Sequence, residues 1–147
     1  MVNLSKVSES LKELMAERGI NQKELSEQLH TGRTKLSDNL NGKNAPNYDT
    51  FIKLIEHFNC SADFLLGLSD YPREDVAYKP VRPFGQRVRE IIAQSQSSLY
   101  ALHKQAHISW SVIYGWLNGK SQPSCDTIVK LAAYFGCSVD YLLGRVD

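Results

Sequence analysis

The sequence lacks the features of membrane proteins and of exported proteins. It contains no apolar run of the roughly 18 residues that a membrane-spanning helix needs, and no leader in which a basic segment precedes an apolar one. We therefore expect a cytoplasmic protein that has no membrane partner.

The residue patterns of metal, cofactor and catalytic sites are also missing. The three cysteines are odd in number and have no Cys-x-x-Cys spacing, which argues against a disulfide framework and a zinc site. Cys60 and Cys137 occupy matching positions ahead of an apolar helix, where a small core residue fits. The four histidines have neither ligand spacing nor a nucleophile nearby, and we assign them no chemistry: His30, His57, His103 and His107. Since no phosphate-binding glycine loop is present either, we expect no cofactor, no metal and no enzymatic activity.

Neither sign of charge dominates the chain, but its two halves differ. Residues 1–75 carry 9 Lys and Arg against 12 Asp and Glu, a net charge of −3, whereas residues 76–147 carry 8 against 4, a net charge of +4. A basic second half favours a polyanionic partner for that half. An arbitrary difference between two surfaces is the other explanation.

A repeated phrase divides the chain. Cys60-Ser-Ala-Asp-Phe-Leu-Leu-Gly67 returns 77 residues later as Cys137-Ser-Val-Asp-Tyr-Leu-Leu-Gly144. The duplicated unit has about 65 to 70 residues, too many for a solenoid repeat and enough for a small domain. We therefore expect a first domain over residues 1–67, a linker over 68–83 and a second domain over 84–147.

Apolar spacing predicts that each unit begins with an amphipathic helix. Leu4, Val7 and Leu11 recur at three- and four-residue steps, and Gly19 ends the pattern. The counterpart in the second unit begins at Phe84.

Capping residues and further apolar runs predict four more helices in each unit. Oxygen-bearing side chains suited to N-caps precede the second and fifth helices: Asn21 and Ser98, then Ser61 and Ser138. The third helix is expected from Arg33 to Leu40 in one unit and from Trp110 to Leu117 in the other. Four matching pairs should be buried: Leu25/Leu102, Leu54/Leu131, Phe58/Phe135 and Leu65/Leu142. Because no strand-like alternation of useful length occurs, each unit is predicted to be an all-α bundle of five helices.

Two short helices joined by a tight turn, with supporting helices around them, form the arrangement that presents its second helix to the DNA major groove. Four phrases occur in order, each with a partner in the second unit: Asn21-Gln-Lys-Glu-Leu25, Leu40-Asn-Gly-Lys-Asn-Ala-Pro46, Asp49-Thr-Phe-Ile-Lys-Leu54 and Asp63-Phe-Leu-Leu-Gly67. In these phrases both units resemble the Xre family of phage-repressor-type DNA-binding domains, whose fold is shared by lambda repressor and Cro. The resemblance implies an all-α chain of two tandem lambda-repressor-like helix-turn-helix domains.

The same resemblance implies which residues support DNA contact. Gln22 matches the glutamine that begins the family's second helix, where it contacts a phosphate and braces the third helix; Leu99 stands at the equivalent position in the second unit. Lys43 and Lys120 follow the third helix, where family members meet the DNA backbone, a contact that adds affinity without sequence information. Trp116 matches a family aromatic and is expected in the core, whereas its counterpart Asn39 departs from that pattern.

Exposed positions of the third helix supply the candidate base contacts. They are Arg33, Thr34, Lys35, Ser37 and Asp38 in the first unit, and Ser109, Trp110, Ser111 and Tyr114 in the second. The first set can donate to guanine or phosphate and accept from cytosine. Trp110 and Tyr114 can pack on thymine methyls or sugars but lack the bidentate arginine fork, and exposed aromatics serve protein partners equally well.

The resulting interpretation is a sequence-specific DNA-binding transcription regulator, a repressor by analogy with the family, with double-stranded DNA as its partner. The alternative is that one of the two units is a dimerisation or protein-partner module, as in an antitoxin-like interaction protein. This alternative favours the second unit over the first for that role. The sequence leaves open whether the chain is a monomer or a homodimer.

The linker has three prolines and is expected to be extended and stiff. Its reach of at most about 50 Å would let the two units occupy successive major grooves, roughly 34 to 36 Å apart.

Overall fold

The computed structural model describes residues 1–147. It consists of ten α-helices without a strand, and it divides into two compact units, Met1–Ala77 and Tyr78–Asp147. Each unit contains five helices, which confirms the all-α class predicted from the sequence. None of the helices is both long and apolar enough to cross a membrane.

In the first unit, side-chain caps start the second and fifth helices at the residues predicted from the sequence. The helices are α1 Leu4–Arg18, α2 Gln22–Leu29, α3 Arg33–Leu40, α4 Tyr48–Phe58 and α5 Ala62–Leu65. Asn21 accepts a hydrogen bond from the Glu24 amide at 2.9 Å, and the Glu24 carboxylate accepts one in return from the Asn21 amide at 3.1 Å. This reciprocal capping box satisfies two amides that the first turn of α2 leaves without a partner.

The second unit repeats this order with its own caps. Its helices are α6 Phe84–Gln94, α7 Leu99–Gln105, α8 Trp110–Leu117, α9 Cys125–Phe135 and α10 Val139–Leu142. Ser138 accepts from the Tyr141 amide at 3.0 Å, as Ser61 does from the Phe64 amide at 3.2 Å. The duplicated phrase is therefore the start of the last helix of each unit, and its role is structural.

Seven of the eight side chains predicted to lie in the two cores are buried. Leu25, Leu54, Phe58 and Leu65 are buried, and so are Leu102, Leu131 and Leu142. The prediction that Phe135 is buried was wrong, because this side chain is partly exposed.

The difference between the two phenylalanines lies in what covers them. The Arg18 guanidinium carbon lies 5.2 Å from the centre of the Phe58 ring, and Arg18 Nη2 donates to the Phe58 carbonyl oxygen at 2.8 Å. In the repeat, Ser95 stands at the position of Arg18. The cation that covers Phe58 therefore has no counterpart over Phe135.

The first helix of each unit fixes the end of the third helix. In the first unit the Ser8 hydroxyl donates to the Leu40 carbonyl oxygen at the end of α3. At the matching position of the second unit, Gly85 lies so close to the Trp116 carbonyl that no Cβ would fit. One unit thus uses a hydrogen bond, and the other a direct backbone approach, to hold the same helix.

The first part of the predicted linker packs on the first unit. Asn59 Nδ2 donates to the carbonyl oxygens of Glu74 and Val76, at 2.9 and 3.0 Å. The Ser61 amide donates to the Pro72 carbonyl oxygen at 2.7 Å. These bonds hold the segment before Tyr78 against the end of α4 and the start of α5.

The rest of the predicted linker packs on the second unit. The Lys79 amide donates to the Arg145 carbonyl oxygen at 2.9 Å, and the Arg82 amide donates to that of Leu143 at 3.1 Å. The linker residues therefore do not form a separate spacer. The reach calculated for a free segment over residues 68–83 does not apply to this chain.

A buried ion pair joins the residues after α10 to the first turn of that helix. Arg145 Nη1 donates to an Asp140 carboxylate oxygen at 2.7 Å, and the two side chains are only 1% and 8% exposed. The Arg145 guanidinium carbon also lies 4.0 Å from the centre of the Tyr78 ring. In the first unit Asp63 stands at the position of Asp140, but Leu68 replaces the arginine.

Candidate nucleic-acid interface

A hydrogen bond joins the two helices of the first helix-turn-helix. Gln22 is the first residue of α2, and its Nε2 donates to the carbonyl oxygen of Arg33, the first residue of α3, at 3.1 Å. His30 lies in the left-handed conformation at the end of α2 and turns the chain toward α3. The bracing contact that the resemblance implies for Gln22 is thus present in the structure.

The exposed side of α3 carries the predicted donors and acceptors. Arg33, Thr34 and Lys35 are exposed in its first turn, and Ser37 and Asp38 follow partly exposed. The side chains of Arg33 and Lys35 form no ion pair within the chain, so their charges are available to a ligand. Asp38 lies 4.0 Å from the Lys43 ammonium, a separation at which the two charges partly offset each other.

Asn39 keeps α3 packed although it replaces an aromatic residue. It is buried, and its Nδ2 donates to the carbonyl oxygen of Asn44 at 3.2 Å and to the Asn44 side-chain oxygen at 3.0 Å. In the second unit Trp116 is buried and meets Phe84 edge to face, with ring centres 5.2 Å apart. The same position is therefore filled by a polar contact to the following loop in one unit and by aromatic packing in the other.

The second unit has a different contact where the glutamine brace would be. Leu99 has no side-chain amide that could donate a hydrogen bond to the third helix. Instead, His103 lies face to face with Trp110, with ring centres 4.6 Å apart and planes 23° apart. Trp110 lies in turn over Tyr114, at 5.6 Å and 26°. We call these three rings, His103, Trp110 and Tyr114, the aromatic stack.

The remaining predicted residues of the second unit flank this stack. Ser109 is the N-cap of α8, where its hydroxyl accepts from the Val112 amide at 3.4 Å and lies 3.2 Å from the Ser111 hydroxyl. Lys120 is exposed after the helix, and its amide donates to the Gly115 carbonyl oxygen at 2.9 Å. The Lys43 amide makes the same bond to Asp38 at 2.9 Å, so the two lysines follow their helices in the same way.

Several positive charges of the second unit are buried or paired with carboxylates of the same unit. Arg87 and Arg145 are buried, Arg82 pairs with Glu90 at 2.7 Å, and Lys79 pairs with Asp147. The helix-turn-helix region is distinct for another reason, because residues 91–125 contain neither Asp nor Glu in a chain that has 16. Its positive character arises from the absence of acids rather than from an abundance of bases.

Three side chains of this region were missed by the sequence analysis. His103 received no chemistry, although it belongs to the aromatic stack. Tyr100 on α7 and Val112 on α8 are 61% and 42% exposed. The signal for His103 was in the repeat, where His103 and Trp110 together replace Ser26 and Arg33 of the first unit.

The perturbed titratable groups do not form a reactive centre. Burial raises the pKa of the Cys125 thiol to about 12, so this cysteine stays protonated and inert at neutral pH. Burial also raises the pKa of the Tyr48 hydroxyl to about 12. Among the residues described, no group of three or more His, Cys, Asp and Glu side chains is placed to hold a metal ion.

Five helices that include a helix-turn-helix define the fold class of each unit. Residues 11–65 match the family model described as helix-turn-helix, and residues 87–147 match the model described as Cro/C1-type HTH DNA-binding domain. Both units therefore match helix-turn-helix family models, in agreement with the resemblance to the Xre family.

One curated relative shares part of this sequence. The chain is 35% identical over 65 residues to the HTH-type transcriptional regulator ImmR of Bacillus subtilis (strain 168). That match covers 44% of this chain and 51% of the relative, so the chain spans about half the length of the protein it matches. No solved structure matches the chain significantly.

Proposed function

We propose that the chain is a sequence-specific repressor that reads the DNA major groove with the third helix of each unit. The observation that carries this proposal is the hydrogen bond from Gln22 to the carbonyl oxygen of Arg33, since it orients a helix whose exposed Arg33 and Lys35 side chains form no ion pair within the chain. The first unit supplies most of the base discrimination. The second unit supplies mainly backbone affinity through Lys120, with apolar contacts from Trp110.

The second candidate function assigns the second unit to protein binding. Leu99 replaces the bracing glutamine, and Tyr100, Val112 and Tyr114 of the same helix-turn-helix are all more than two-fifths exposed. Such a surface also suits a dimer contact or a bound partner protein, as in an antitoxin-like protein.

Selection of bound sequences from a random DNA pool distinguishes these functions. We expect an enriched motif of two unlike half-sites, because the two recognition helices carry different side chains. A palindromic motif would indicate a dimer that uses one unit. The absence of any enriched motif would contradict the proposed function and favour protein binding.

Replacing Arg33 should reduce both affinity and specificity. We expect Arg33→Ala to weaken binding to the selected duplex by about 1–3 kcal/mol and to relax the preference at one position, because a bidentate contact to a base is lost. The measurement is the binding constant on selected and scrambled duplexes. Arg33→Lys is the matched control, since it keeps the charge and loses the fork, and it should retain binding to scrambled DNA. Undiminished discrimination by the alanine variant would assign base reading to another residue.

Replacing Lys120 should weaken binding to all duplexes alike. Its side chain is exposed just after α8, where a phosphate contact adds affinity irrespective of sequence. We expect Lys120→Ala to reduce the slope of log K against log salt by about one unit. Lys120→Arg should keep the slope. A loss of discrimination in Lys120→Ala, with discrimination intact in Arg33→Ala, would show that the second unit reads the bases.

A further inference from the structure

The aromatic stack connects the two helices of the second helix-turn-helix. His103 lies on α7, whereas Trp110 begins α8 and Tyr114 lies one turn further along that helix. The planes of adjacent rings differ by only 23° and 26°, so the three rings form one continuous stack whose edges and outermost faces make an apolar surface. Trp110 is partly exposed and Tyr114 is 52% exposed, so the outer part of this surface is open to a ligand.

His103 is fixed by the turn that precedes α8. Its Nδ1 donates to the Ile108 carbonyl oxygen at 2.6 Å, and the Ile108 amide donates back to the His103 carbonyl oxygen at 3.3 Å. Because a carbonyl oxygen only accepts, Nδ1 carries the hydrogen and the orientation of the ring is set. In the first unit Ser26 occupies this position, and its hydroxyl donates to Lys23 within its own helix at 3.0 Å.

These contacts restore, by other means, the brace that the second unit lacks. Gln22 holds the start of α3 through the carbonyl oxygen of Arg33. Leu99 cannot do the same for α8, but His103 reaches the turn before it and the ring of its first residue. We infer that His103 is a positioning residue that holds Trp110, with Tyr114 behind it, as an apolar surface that recognises the methyl groups of thymines.

The charge around the stack favours DNA over a protein as the ligand. Residues 91–125 contain no carboxylate, and the exposed Lys120 follows the same helix. A surface without acids attracts a polyanion and offers no ion pair to a basic protein. Aromatic rings have no bidentate donor for guanine, whereas the thymine methyl group is the apolar feature of the major groove. The inference rests on the proposed DNA binding by the second unit.

Removing single methyl groups from the DNA tests this inference. In the selected duplex, the thymines are replaced one at a time by deoxyuridine, which lacks only the methyl group. We examine the half-site whose preference Arg33→Ala leaves intact. The wild-type protein should bind the thymine duplex about fourfold more tightly at each contacted methyl, which corresponds to about 0.8 kcal/mol for one buried carbon group. Thymines of the other half-site serve as the internal control.

The variants separate positioning from simple structural support. His103→Ala should bring the thymine-to-deoxyuridine ratio close to one, whereas His103→Phe should keep the ratio because it keeps the ring stack. Trp110→Ala should also abolish the ratio, and adding His103→Ala to it should change nothing further. Because Trp110 is partly exposed, its variant tests the same surface even if His103→Ala fails to fold.

Several outcomes would overturn the inference. A wild-type ratio of one, or an unchanged ratio in both alanine variants, excludes methyl recognition by the stack. Equal weakening on both duplexes would show that His103 supports the fold alone. Loss of a dimer in sedimentation by Trp110→Ala, with DNA binding unchanged, would make the stack a protein contact. If no duplex is bound selectively, the proposed function fails as well; if one is bound selectively with a ratio of one, only this inference fails.

Discussion

Phe58→Ala is expected to lower the free energy of unfolding of the first unit by about 3–5 kcal/mol. The ring is buried, and Arg18 lies over it, so truncation leaves a cavity that the surrounding side chains cannot fill. Denaturant unfolding followed by far-UV circular dichroism measures the loss. Both tryptophans lie in the second unit, so Trp fluorescence reports on that unit separately.

Phe135→Ala is the matched variant in the second unit. Its ring is partly exposed, so less apolar surface returns to water on unfolding and less packing is lost. We expect the free energy of unfolding of the second unit to fall by about 1–2 kcal/mol. Denaturant unfolding monitored by Trp fluorescence measures this change. Equal losses in the two variants would show that the missing arginine does not matter to the packing of this phenylalanine.

Asp140→Ala is expected to lower the free energy of unfolding of the second unit by about 3–5 kcal/mol. Both Asp140 and Arg145 are nearly inaccessible, so the substitution leaves a buried guanidinium without its carboxylate. Removing one partner of a buried pair costs more than the pair contributes, because the remaining charge stays desolvated. Trp fluorescence during denaturant unfolding measures the change.

Asp63→Ala controls for the helix-end contribution of Asp140. Asp63 and Asp140 both lie in the first turn of the last helix of their unit, but Leu68 stands where Arg145 would be. Loss of a carboxylate at a helix N-terminus costs only about 0.3–1 kcal/mol. A loss of that size for Asp140→Ala as well would mean that the ion pair contributes little. Replacing Asp140 and Arg145 together by apolar residues should cost less than Asp140→Ala alone.

The candidate site was predictable to the extent that it is local in sequence. Arg33 and Lys35 were expected on the exposed side of α3, since burial follows helical spacing and both units show the same apolar positions. The brace formed by Gln22 followed from resemblance and is present. The aromatic stack was not predicted, because it needs His103 of one helix to meet Trp110 of the next, and the turn between them sets that geometry.

By itself the sequence determined the duplication, the all-α class and the starts of the helices, because caps, apolar spacing and helix-ending residues act within a few neighbouring positions. Only the tertiary structure decided the exposure of Phe135, the packing of the linker residues on both units and the burial of two of the arginines in the second unit. Each of these depends on contacts between residues far apart in the chain. Which distant side chain covers a ring, or pairs with a charge, is settled by the packing of the helices and not by the local pattern that forms them.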